Sequence, residues 1–135
     1  MNDDADESLD SLECDLLAEA KGSQVAIWRK SREEFDALDE KKQGRFQRIM
    51  ELWCANQRLT PEMFNANEGR SPQDNLLLQA FKAFKVRLYG FVRPVQGART
   101  FIIIDADPAK KQDRADPGIL KRAKGRADEM GKRKK

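Results

Sequence analysis

The stretch from Lys85 to Asp105 limits the possible folds most. In KVRLYGFVRPV, residues 85–95, Val86, Leu88, Gly90 and Val92 fall on one side of an extended chain, and Lys85, Arg87, Tyr89, Phe91 and Arg93 on the other. Gln96-Gly97 supplies a tight turn, and ARTFIIID returns as the partner strand. Such a hairpin implies a curved antiparallel sheet with helices packed on it.

The remaining elements follow from local signals. QVAIWRK, residues 24–30, alternates as a strand. Ser31-Arg32-Glu33-Glu34 has capping-box spacing and opens a helix carrying Phe35 and Leu38. Asp39–Lys42 breaks or bends it, and Phe46, Ile49, Met50 and Trp53 form the i, i+3, i+4, i+7 core stripe of a second helix ending near Gln57. Residues 58–75 are irregular, with turn signals at Thr60-Pro61 and Ser71-Pro72, and NLLLQAFKAF fits either a helix or a strand. Asp116-Pro117 places an N-cap before a proline at the first helical position, and the helix sets Ile119, Ala123, Ala127 and Met130 along one side.

The prediction is one α+β domain over residues 23–130: a small antiparallel sheet with a helical hairpin packed on it and a C-terminal helix. Residues 1–22 read as an acidic, flexible arm, in which Leu9, Leu12, Leu16 and Leu17 have the spacing of a short helix around 8–20. Residues 131–135 read as a basic tail.

The net charge of +3 conceals a division. Residues 1–20 hold eight acids and no base, whereas residues 108–135 hold eleven bases against four acids. A body of that polarity favours polyanions, and the acidic arm either occupies the basic groove in cis or is a solubilising leader. With no histidine, His-based triads and His-ligated metals are excluded. Cys14 and Cys54 form no CxxC pair and are expected as free thiols. No apolar run approaches the roughly 20 residues a bilayer needs, and the start is acidic where a signal peptide is basic, so a cytoplasmic protein is expected.

Three constellations carry chemistry. Lys85, Arg87, Tyr89, Phe91 and Arg93 share a strand face, so cations could hold phosphates while rings stack on unpaired bases; in the alternative, the rings are core and the arginines sit at the sheet edge. Arg99 adds a cation on the return strand, and Lys110, Lys111 and Arg114 follow a buried strand that would fix their position. Asp105-x-Asp107 is the spacing of a Mg²⁺ pair, but its cationic neighbourhood favours a strand terminator over a metal.

The order of a short strand, WRKSREEFDALDEKKQGRFQRIMELW, a hairpin containing RLYGFV, an apolar strand entering Lys110-Lys111 and then ADPGILKRA resembles the RelE/ParE toxin superfamily, in its HigB-like, phage-associated branch, over residues 24–130. The resemblance implies the toxin of a toxin-antitoxin pair: a ribosome-dependent mRNA endonuclease without metal or cofactor, held inactive by an antitoxin. Arg87 would then bind the scissile phosphate, Tyr89 would stack on a base or assist proton transfer, and Lys110 and Lys111 would bind RNA or stabilise the leaving group. Lys85, Phe91, Arg93, Arg99 and Arg114 would bind RNA. The chain departs from the branch in carrying Asp105 where a histidine often precedes the lysine pair, in its long 58–75 segment and in its acidic arm. A non-catalytic nucleic-acid-binding or interaction protein of the same fold is the alternative, and a Mg²⁺ nuclease is the third reading.

Overall fold

The computed structural model describes residues 7–108 and 116–132. Its six strands are β1 (Cys14–Ala20), β2 (Ser23–Trp28), β3 (Phe64–Asn65), β4 (Gln79–Ala83), β5 (Val86–Val95) and β6 (Ala98–Asp107). Its helices are α1 (Arg32–Asp36), α2 (Glu40–Cys54) and α3 (Pro117–Lys132), with a 3-10 turn over Arg29–Ser31. The sheet order is β1-β2-β6-β5-β4-β3, antiparallel throughout except where β2 and β6 run parallel. The α+β class is therefore as expected.

Three two-residue turns build the hairpins, at Lys21-Gly22, Phe84-Lys85 and Gln96-Gly97, with φ positive at both residues of each. This left-handed pair matches the twist of the strands it joins. In two of them glycine meets the requirement at the second residue, with Lys21 and Gln96 at the first. Phe84 and Lys85, at φ 52° and 64°, do not have that freedom.

Both faces of the sheet are buried. On one, Phe35, Leu38 and the α2 stripe Phe46, Ile49, Met50 and Trp53 pack against Val25, Ile27, Phe81, Val86, Leu88, Phe101 and Ile103. On the other, Ala123, Ala127 and Met130 of α3, together with Leu12, cover Ala26, Trp28, Tyr89, Phe91, Ile102 and Ile104. Each large side chain fully buried this way contributes about 1.5–3 kcal/mol relative to exposure. Gly90 is required where the layers meet, because a Cβ there would lie 2.3 Å from both the Ile102 carbonyl oxygen and the Phe101 ring.

Two local signals hold as read. The chain breaks between α1 and α2 at Asp39, whose side chain accepts from the Lys42 N–H, and Asp116 Oδ1 accepts from Gly118 and Ile119 at the start of α3. Two differ. The helix expected around 8–20 is instead a turn followed by edge strand β1, so part of the acidic arm belongs to the sheet. Lys21-Gly22 returns the chain as a hairpin, and Leu12 is 1% exposed while Leu16 is 45% exposed, a division no single helical stripe would produce. The capping box at Ser31 is the other. Ser31 makes no side-chain cap bond; its hydroxyl donates to the Ile104 carbonyl, and Glu34 pairs with Arg126 at 2.7 Å. A β-bulge explains the diversion. Tyr89 opposes Asp105 and Gly90 opposes Ile103, so Ile104 has no opposite on β5 and its carbonyl is served by Ser31 and by Arg126 at 3.2 Å.

Candidate nucleic-acid interface

The bulge also arranges the charged end of the β5–β6 hairpin. It places Asp105 on the α3 face beside Ile104, where Arg122 grips its carboxylate through Nε at 2.8 Å and Nη2 at 2.6 Å, with Arg126 at 3.2 Å. Asp105 is fully buried, so guanidinium groups supply the positive charge that a metal would supply in the Asp-x-Asp reading. The same contact raises the Arg122 pKa. Among the described residues, no group of three or more Cys, Asp or Glu side chains is placed to hold a metal ion.

Arg87 lies opposite Asp107 and pairs with Glu68 at 2.8 Å. Both are largely enclosed, at 15% and 6% side-chain exposure, so Arg87 meets a carboxylate of its own chain where the sequence expectation placed a phosphate. Glu68 is fixed from behind, since its N–H donates to the Leu78 carbonyl at 2.7 Å and the Leu78 N–H to Gly69 at 2.8 Å. Asp128 of α3 pins the following stretch by accepting from the Gln73 and Asp74 N–H groups at 3.0 and 2.9 Å.

Tyr89 and Phe91 are core residues, at 0% and 2% exposure, and neither ring offers a face to a base. Burial, then the Glu68 charge, pushes the Tyr89 phenol above its ordinary value, so it stays protonated. Among the described residues its hydroxyl has no hydrogen-bond partner. Arg93 is buried and paired with Glu7. Arg99 donates to Ser23 Oγ and the Trp53 carbonyl, both at 3.0 Å, with its guanidinium 3.7 Å from the Trp53 ring centroid. Six residues of strand, about 20 Å, separate Arg93 from Arg87, so the two do not share a phosphate.

The hairpin thus divides the predicted residues. Arg93 and Arg99 belong to its Gln96-Gly97 end, whereas Lys85 and Arg87 belong to the other. Lys110, Lys111 and Arg114 lie outside the described residues. The chain leaves at Pro108 and re-enters at Asp116, whose N–H donates to Asp107 Oδ2 at 3.2 Å, so both ends of that segment adjoin the Arg87 end. A groove of about 430 Å³ at the start of α3 is lined by Arg70, Pro72, Pro117, Leu120, Lys121 and Lys124.

Sequence reasoning passed over Glu68, Arg122, Arg126 and Asp128. The α3 arginines were visible as helix cations, but nothing local says which acid they meet. Glu68 sits in an irregular stretch that carries no periodic signal. No helix among the described residues is long and apolar enough to cross a membrane. Compared with protein-family models, with curated proteins and with solved structures, the chain matches none.

Proposed function

We propose that this chain is a HigB/RelE-like toxin, a ribosome-dependent endonuclease that cuts mRNA and is restrained by an antitoxin protein. The observation that carries the reading is convergence. The central-strand arginine Arg87 and both ends of the segment bearing Lys110, Lys111 and Arg114 meet at one end of the β5–β6 hairpin. After β1, the order of β2, two helices, strands β3 to β6 and a C-terminal helix is also the order the resemblance implies. In this reading cations stabilise the phosphate as charge builds up, and Tyr89 supports them from the core without touching RNA.

A second reading, a non-catalytic RNA-binding protein, draws on a specific observation. Arg87 is engaged by Glu68, and Tyr89 is buried, leaving neither placed as a proton-transfer group in the described structure. Induced expression in a bacterial host separates the two. The toxin reading expects growth arrest with new mRNA 5′ ends in translated regions, both lost in Arg87→Ala and Lys110→Ala. Harmless expression without new ends refutes it, and salt-dependent RNA binding without cleavage establishes the second reading.

A further inference from the structure

We propose that the Phe84 ring is a stacking platform for an unpaired base of single-stranded RNA, set beside the cations that would hold the flanking phosphates. The inference rests on the RNA-directed reading above and supplies the exposed aromatic that Tyr89 and Phe91 do not.

Four observations lead to it. The large apolar side chains exposed among the described residues are Leu16, Phe84 and Val92, and Phe84, at 46%, is the aromatic one. It belongs to neither core cluster, so the ring is not on the surface as overflow from the interior. Its backbone is left-handed, as is that of Lys85, in a turn where asparagine and glycine are the residues without strain. The other two hairpins place Lys21 and Gln96, long polar side chains, at the equivalent left-handed position, whereas this one places an aromatic ring there. Finally, Lys41 of α2 holds its ammonium 5.4 Å from the ring centroid, a cation–π distance, and exposed Arg45 follows one helical turn on.

Position connects this platform to the candidate interface. Ala83 pairs with Val86 and Lys82 with Arg87, so the turn closes the sheet at the end where Arg87 opposes Asp107. A ring exposed at that rim, with the Lys41 ammonium over it, matches the chemistry of single-stranded RNA, in which bases offer free π faces and phosphates offer charge. A duplex keeps its bases stacked on one another and offers no such face.

The test is fluorescence anisotropy with a short, labelled single-stranded oligoribonucleotide and a duplex of the same sequence, each titrated with full-length protein over a range of salt. Phe84→Asn removes the ring while suiting the left-handed backbone, so the fold is retained. Phe84→Trp keeps an aromatic face. The expected result is a loss of about tenfold or more in single-strand affinity for Phe84→Asn, with the salt slope unchanged and duplex binding unaffected. Phe84→Trp should bind as the wild type does, and Lys41→Ala should lower the salt slope by about one.

Unchanged single-strand affinity in Phe84→Asn, with Arg87→Ala still weakening it, overturns the platform and leaves the RNA reading standing. Equal losses for single strand and duplex also overturn it, because stacking cannot account for them. Wild-type protein that binds neither RNA overturns the platform and the RNA reading together.

Discussion

Tyr89→Phe is the most informative single substitution, because the catalytic and the core roles of this side chain predict opposite outcomes. Tyr89 is 0% exposed, and among the described residues its hydroxyl has no hydrogen-bond partner. Sequestering a hydroxyl from water without a bond disfavours folding by about 1–3 kcal/mol. Removing that oxygen while keeping the ring should therefore stabilise the domain by about 1 kcal/mol, which raises the thermal midpoint by roughly 3–5 °C for a chain of this size. Urea denaturation followed by circular dichroism checks the sign, with the midpoint rising and the m-value unchanged. Tyr89→Ala serves as the contrast. It removes the ring from the α3-side core and should destabilise by about 3–5 kcal/mol. RNA binding and any cleavage by Tyr89→Phe should equal the wild type. A folded Tyr89→Phe protein that loses cleavage would show that the phenol reaches RNA, and a destabilisation above about 1 kcal/mol would show that the hydroxyl is bonded. Either result refutes the core assignment.

Other consequences of the structure can be measured directly. Gly90→Ala should destabilise by about 3 kcal/mol or more, or fail to yield soluble protein, because the new Cβ meets backbone and a buried ring at 2.3 Å; a wild-type denaturation midpoint would rule that clash out. Asp105→Asn should cost about 2–4 kcal/mol in urea denaturation, since it uncouples a buried carboxylate from Arg122 and Arg126. Arg122→Met should cost less, about 1 kcal/mol, because Arg122 is half exposed and Arg126 remains; a reversed order of the two losses would refute the network. Burial pushes the Cys54 thiol up to about 11 from 9.0 and raises the Tyr89 phenol as well, so both groups stay protonated more readily when folded than unfolded. Their contribution is complete below the unfolded pKa and is lost as pH rises through the folded one; stability should fall from about pH 9 upward, and Cys54→Ala should reduce the slope between pH 9 and 11.

The parts of this protein that its sequence determines are those whose physical cause is local. The four-residue stripe of α2, the break before it at Asp39, the Asp116 cap and the alternation of β5 were all legible, because helix period, helix ends and pleat involve neighbours along the chain. Gln96-Gly97 was legible for the same reason. Phe84-Lys85 makes the same kind of turn without glycine, and NLLLQAFKAF was accordingly open between helix and strand. Leu9, Leu12, Leu16 and Leu17 carry helical spacing, yet the chain there makes a turn and an edge strand, because pairing with β2 and burial of Leu12 outweigh local periodicity.

The candidate site divides along the same line. Alternation correctly grouped Arg87, Tyr89, Phe91 and Arg93 on one face of β5, but it could not tell whether that face met solvent or another layer. α3 and Leu12, distant in sequence, bury the rings. Arg87 meets Glu68, Arg93 meets Glu7 and Asp105 meets Arg122, each chosen by the way separate segments pack. Sequence therefore determined which side chains share a strand face. Tertiary structure alone decided which of them face solvent and which charges are neutralised, because burial and ion pairing depend on residues brought near by the fold.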